Sequence, residues 1–222
     1  MVRRSFFVLP AVCLIAGIFI ITGCKKSEDN VVTDIDGNVY NIITIGDQQW
    51  MDRNLAVTRY RNGDPLRNGL GSIDDGGAWI NYGNLESNGQ IYGRLYNAYA
   101  IHDPRGLAPE GWHVPTLEEW NELIDYLGGS DVAGGKLKEA GLEHWLDPNT
   151  DATDMYGFSA LPGGYAGGTG MYLGNYASFW TSTKVYDDKL NTWNLWLYYN
   201  NATVEDDWDY GGSGYSIRCI RD

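Results

Sequence analysis

Three histidines, one cysteine near the C-terminus and a late run of acidic, amide and aromatic residues are the side chains whose types could carry chemistry in this chain. His113 lies between Trp112 and Val114, just before Pro115, and an imidazole there could move a proton. A side-chain hydrogen bond that fixes a strand-to-helix junction accounts for it better. His102 and His144 have no helical or strand spacing to each other, or to a carboxylate, that would build a metal site. No G-x-S-x-G elbow or His-Glu-x-x-His pair is present. Gly163, Gly164, Gly167, Gly168 and Gly170 are interleaved with Tyr165 and Met171 and have no Lys-Ser or Lys-Thr behind them, so they read as turns, not a phosphate cradle. The expectation is a protein that is not an enzyme, with no catalytic residue and no cofactor.

The late run is the better candidate. Asp187, Asp188, Asn191, Asn200, Asn201, Glu205, Asp206, Asp207, Trp208 and Asp209 fall between β-like segments. Aromatic faces stack on the C–H face of a sugar, and neighbouring carboxylates and amides bond its hydroxyls. The candidate ligand-binding residues are therefore Asp187, Asp188, Asn191, Asn201, Asp206, Asp207 and Trp208. The plainer reading is a set of acidic loops that keep a surface protein soluble. Trp180, Trp193 and Trp196 sit inside strand patterns and read as core. Asp34, Asp36 and Gly37 look like the start of a calcium loop, but the later oxygen ligands and terminal Glu are missing, so a turn is expected and calcium has no motif to support it.

The N-terminus sets the address of these groups. Arg3 and Arg4 precede an apolar run from Phe6 to Ile21 that ends at Ile21-Thr22-Gly23-Cys24. This layout resembles the bacterial lipobox, which implies cleavage before Cys24, lipidation of Cys24 and a membrane partner through that lipid. An uncleaved transmembrane anchor is the alternative, since the run is about the minimum length for a span. The expected organisation is a signal peptide at 1–23, a lipidated tether at 24–33 and one domain at 34–222, outside the cytoplasm and on the outer membrane or cell surface. Loss of Arg3 and Arg4 with the signal takes the formal net charge of −13 down by two to −15. No basic stripe is present to release counterions from phosphate, so nucleic acid is excluded as a partner. Cys13 leaves with the signal and Cys24 takes lipid, which leaves Cys219 alone, with no internal disulfide and no cysteine metal cluster.

The elements that must position these residues can be read in outline. Val31 to Trp50 reads as paired strands around an Asp36-Gly37 turn. Residues 62–93 are rich in Gly, Asn and Asp without sustained periodicity and read as a long ordered loop. After Pro115, Thr116 and Glu119 form a capping-box pattern, and Leu117, Trp120, Leu123, Ile124 and Leu127 recur at helical spacing until Gly128-Gly129. A second helix is expected from Ser130 to Ala140, capped by Ser130, with Lys136, Lys138 and Glu139 outward. Short β pieces follow at Tyr156 to Leu161, Phe179 to Thr183, Trp193 to Tyr199 and Tyr215 to Ile220. Strands, then helices, then antiparallel strands make an α+β arrangement.

Several ordered motifs carry a family resemblance. Asp36-Gly37-Asn38-Val39-Tyr40, Ile45-Gly46-Asp47-Gln48-Gln49-Trp50-Met51 and Asn54-Leu55 open it. Tyr92-Gly93-Arg94-Leu95-Tyr96-Asn97, Pro109-Glu110-Gly111-Trp112-His113-Val114-Pro115-Thr116 and Gly157-Phe158-Ser159-Ala160-Leu161-Pro162-Gly163-Gly164-Tyr165 continue it. Phe179-Trp180-Thr181-Ser182-Thr183 and the closing segment from Gly214 to Asp222 complete it. Together they resemble the Fibrobacter succinogenes major paralogous domain over roughly Asp34 to Asp222.

The resemblance implies a C-type-lectin-like fold, related to formylglycine-generating enzymes, with a small antiparallel sheet, two helices and long loops. It implies surface exposure and adhesion or glycan contact, with no defined activity. The family pattern often has Cys where Ala108 stands here, so a disulfide of its relatives is absent and Cys219 is expected to be a buried, inert thiol. One cysteine cannot supply the pair that the enzymatic branch of the fold uses, and the Glu-Pro-Asn sugar motif of calcium-dependent lectins is missing. The functional expectation is a non-enzymatic surface module that binds glycan or a surface protein. The alternatives are a structural coat module, or a hydrolase or oxidase on a lectin-like scaffold.

Overall fold

The computed structural model describes Met1 and residues 30–71, 76–167, 172–186 and 190–222. Residues 2–29, which include Cys24 and nearly all of the signal segment, lie outside the described residues, as do Asp187 and Asp188. In chain order the elements are β1 (Val31–Thr33), β2 (Val39–Ile45), β3 (Gln48–Met51), β4 (Arg67–Asn68), β5 (Ala78–Ile80), α1 (Glu86–Tyr92), β6 (Leu95–Tyr96), α2 (Ala98–Ile101), β7 (Trp112–His113), α3 (Leu117–Tyr126), α4 (Ser130–Leu137), β8 (Tyr176–Lys184), β9 (Thr192–Tyr198), β10 (Val204–Asp209) and β11 (Ile220–Arg221). The fold is α+β, with helices set against small, mainly antiparallel sheets.

The opening strands form as their residue pattern dictates. Asp34 shapes the first turn, because its carboxylate accepts the backbone N–H of Asp36 and of Asn38, the Asn38 amide and the Tyr40 hydroxyl at 2.6–2.9 Å. These bonds occupy the oxygens that a calcium loop would offer, and Gly37 takes the positive φ of 87° that the turn requires. β1 and β2 pair antiparallel, as do β2 and β3, and the sheet begins at Val31, where the first strand is expected. The chain's end returns to this sheet: β11 inserts between β3 and β7, giving the order β1-β2-β3-β11-β7. A second sheet has the order β10-β9-β8, and a third joins β4, β5 and β6.

α3 carries the capping box read from Thr116 and Glu119, with Thr116 Oγ1 accepting the Glu119 N–H and the Glu119 carboxylate accepting the Thr116 N–H. Its inner face buries Trp120, Leu123 and Ile124. Trp120 meets Trp50 at 4.9 Å and Phe179 at 5.4 Å between ring centroids, which locks α3 between the first and second sheets. Tilted and edge contacts of this kind add about 0.5–1.5 kcal/mol each beyond the area buried.

Several expectations are corrected. α4 ends at Leu137, short of Ala140, and its N-cap is Gly129, not Ser130. Lys138 is not outward but fully buried, its ammonium donating to the carbonyls of Thr150, Tyr198 and Asn201 at 2.8–2.9 Å. Gly134 and Gly135 permit this packing, since a Cβ on either would collide with the backbone at Thr203 or Asp151. The 62–93 stretch is not a plain loop: it holds β4, β5, a 3-10 turn at Tyr82–Asn84 and α1. Four α-helices stand among the described residues where the resemblance implied two, because α1 and α2 are too short to leave a periodic signal. Tyr156 to Leu161 is not a strand and makes only an isolated bridge between Ala160 and Lys138.

The run from Val204 to Asp209, expected as loop, is an edge strand. Pairing with β9 along its whole length overrides its poor β propensity. Its exposed charges on the free edge discourage further strand addition.

Candidate functional site

Period-two alternation in the second sheet decides which residues meet. On β9, Leu195 and Leu197 turn inward to the helices, so Asn194, Trp196 and Tyr198 lie on the opposite, outer face. Their ladder partners on β8 are Trp180, Ser178 and Tyr176, and on β10 Asp207 and Glu205 stand opposite Asn194 and Trp196. The segment before β8 brings Tyr165 and Tyr172 over this face. The result is a cleft of about 380 Å³ lined by Tyr165, Tyr172, Tyr176, Trp196, Tyr198, Glu205, Asp206 and Asp207.

The rings meet nearly at right angles. Tyr176 stands at 90° to Tyr198, 85° to Trp196 and 73° to Tyr172, with centroids 5.4–5.6 Å apart. Tyr165 stands at 74° to Trp196 and stacks on Tyr172 at 6.0 Å and on Tyr215 at 5.7 Å. The arrangement is boxlike, with walls fixed by mutual edge-to-face packing. The Tyr198 hydroxyl donates to Glu205 Oε2 at 2.8 Å, and the Tyr215 hydroxyl donates to Asp209 Oδ2 at 2.7 Å. Burial first, and then the Glu205 carboxylate, push the Tyr198 phenol well above its ordinary value, so it remains a neutral donor. Burial does the same to Tyr165, reinforced by Tyr172. Asn194 is buried on the same sheet face, and its Oδ1 has no partner among the described residues.

The candidate residues from the sequence divide. Asp207 lines the cleft, and Asp206 borders it from the edge strand, with strand parity turning its side chain to the Leu195 face. Trp208 does not: it lies on the other face of β10 opposite Trp193, 39% exposed, with its ring against Tyr210 at 5.9 Å. Asn201 is occupied in a turn, its Oδ1 accepting the N–H and hydroxyl of Thr203 and its carbonyl holding Lys138. Asn191 closes the turn into β9 through its carbonyl, which accepts Val185 N–H. Sequence reading missed Tyr165, Tyr172, Tyr176 and Tyr198, named Glu205 without selecting it and assigned Trp196 to the core. The alternation of Trp196 and Tyr198 on β9 was the signal that could have found those two.

The histidines have structural partners. His113 Nδ1 meets Asp222 Oδ1 at 2.7 Å and Nε2 meets Glu119 Oε1 at 2.8 Å, as the expected junction bond with a second carboxylate added. Burial pulls its pKa down, but the hydrogen bonds and charges of Asp222 and Glu119 outweigh burial and hold it above the ordinary value. Beside it is an open hollow of about 520 Å³, lined in part by Glu119, Glu122 and Asp222. His102 bonds Thr192 Oγ1 at 2.8 Å, and burial, aided by Lys184, pulls it down to about 4.

His144 does have a carboxylate partner, contrary to the spacing argument, because the turn after α4 folds Glu139 back within 2.9 Å of Nδ1. Glu143 is close enough that the three residues offer ligand atoms within 4.8 Å of one another. They are the described residues that could hold a metal, although the pair already satisfies itself without one. Cys219 is buried, and burial pushes its thiol well above the ordinary range, as expected of an inert group.

Comparison with known proteins adds one finding: the model of the family described as Fibrobacter succinogenes major domain matches residues 43–221. No curated protein and no solved structure matches the chain.

Proposed function

This chain belongs to the Fibrobacter succinogenes major domain family, and on that premise we propose that it is a non-enzymatic, lipid-anchored surface module that binds glycan in the aromatic cleft of its second sheet. One observation carries the reading: five aromatic rings converge with the carboxylates of Glu205 and Asp207 on one open cleft. Rigid ring faces offer stacking surfaces for sugar C–H groups at little entropic cost, and the carboxylates accept hydroxyl hydrogens. A purely structural coat has no need of such a concave aromatic surface.

The N-terminal layout ending at Cys24 supports the address. The resemblance to C-type-lectin-like folds agrees with a binding role. The hydrolase alternative would use His113 beside its hollow. Both of its ring nitrogens are engaged by carboxylates, and Glu119 is also committed to the helix cap, so neither group is free to serve as a base. No calcium is required, because the cleft has its own acceptors.

A glycan array probed with the full chain, with and without calcium and beside Tyr172→Ala, tests the proposal. Tyr172 is 48% exposed, so its truncation leaves the core intact. Calcium-independent binding that falls in Tyr172→Ala is expected. A null across the array, or binding that Tyr172→Ala leaves unchanged, overturns the reading.

A further inference from the structure

We infer that the cleft selects glycans bearing protonated amines, such as de-N-acetylated amino sugars, over neutral ones. This inference rests on the glycan-binding reading above. It comes from the balance of donors and acceptors. Glu205, Asp206 and Asp207 border the cleft, and no Lys, Arg or His lines it. Among the described residues, none of these three carboxylates has a cationic partner within ion-pair distance.

Glu205 spends one oxygen on the Tyr198 hydroxyl, and Asp207 spends one on the N–H of Trp208, which leaves a second oxygen on each. A neutral sugar hydroxyl can donate to such a surface but brings no charge to meet the carboxylates. An ammonium group has three donors and no acceptor. The perpendicular ring walls strengthen the match, since a cation over an aromatic face is attracted by its quadrupole. A net charge of −13 draws the same ligands from a distance.

Calorimetric titration of the full chain with the hexasaccharides of glucosamine and of N-acetylglucosamine, at mildly acidic pH and moderate salt, reads the selectivity. Glucosamine oligomer should bind at least about fivefold tighter, the value of one solvent-exposed charge contact near 1 kcal/mol. Glu205→Gln with Asp207→Asn should remove that preference while leaving weak binding of the neutral oligomer. Glu118→Gln with Asp131→Asn, an equal loss of charge on the exposed face of the helices, should retain it. Equal or tighter binding of the N-acetylated oligomer overturns the inference and leaves the glycan reading standing. Equal weakening by both double variants also overturns it, since the attraction is then only net charge. No binding of either oligomer by the folded chain, together with a null array, removes the glycan reading itself.

Discussion

Lys138→Met isolates the contact that ties the helical layer to the strand carrying the cleft. The Lys138 ammonium is fully buried and donates to the carbonyls of Thr150, Tyr198 and Asn201, so it pins the end of α4 to the end of β9 and to the turn before β10. Methionine keeps most of the apolar stem but removes the ammonium, which lies 5.4 Å from the Trp145 ring centroid, and leaves three part-buried carbonyls without this donor. Each orphaned acceptor costs at least about 1 kcal/mol. Burial pulls the ammonium pKa down, opposed by Asp151, so the substitution recovers part of the cost of burying charge. A net loss of about 2–3 kcal/mol follows. At this chain length that lowers Tm by roughly 5–10 °C. Urea unfolding followed by tryptophan fluorescence gives the free energy, and a thermal scan gives the second reading. Because the Tyr198 carbonyl is one of those released, ligand affinity at the cleft should fall as well. A loss below about 0.5 kcal/mol, or a gain, would refute the view of Lys138 as a structural clamp.

Other outcomes follow from the same geometry. His113 has a folded-state pKa above its unfolded value, so its stabilisation is complete below about pH 6.5 and fades as pH rises through the raised folded value. His102 does the reverse: with its folded value near 4, stability falls as pH drops from about 6.5 toward 4. Melting curves across this range should show His113→Asn costing more in acid than in base, and His102→Gln flattening the acid loss. Opposite slopes would contradict both assignments. Cys219 should resist thiol reagents until the protein unfolds, and rapid modification of the native protein would refute its burial. Ala108 and Cys219 are buried in one apolar cluster, so Ala108→Cys should restore the disulfide implied by the family resemblance. The chain-entropy ceiling for that loop is about 4–5 kcal/mol, and a pair that stays reduced under oxidising conditions would disprove the pairing. Trp208→Ala should change glycan binding less than about twofold, whereas Tyr172→Ala should weaken it by up to about tenfold, both read by titration.

The legible parts of the sequence were those where local chemistry and tertiary demand agree. The capping box at Thr116 and Glu119, the apolar stripe through Trp120 and Ile124, and the Asp36-Gly37 turn each carry their own signal and appear in the structure as read. Lys138 failed because a lysine read as solvated can be drawn inside when three backbone carbonyls lack donors, which no local pattern reveals. The Val204–Asp209 strand was hidden by its composition, since an edge strand with one solvent-facing side tolerates acids that a central strand would not. The site was half legible. Asp206 and Asp207 announced themselves by charge, but Tyr165 and Tyr172 reach the cleft from outside its three strands, and only the folded sheet brings them to Trp196. Trp208 was a candidate as an aromatic among acids, yet strand parity turns it to the opposite face.

Hydrogen exchange measured by mass spectrometry on the full chain, with and without saturating glucosamine hexasaccharide, tests the central claim most directly. The account predicts that slowing is concentrated in residues 172–178 and 194–207, around the aromatic walls and the acidic edge strand. Slowing concentrated instead around the His113 hollow would contradict it and place the binding surface elsewhere on the domain.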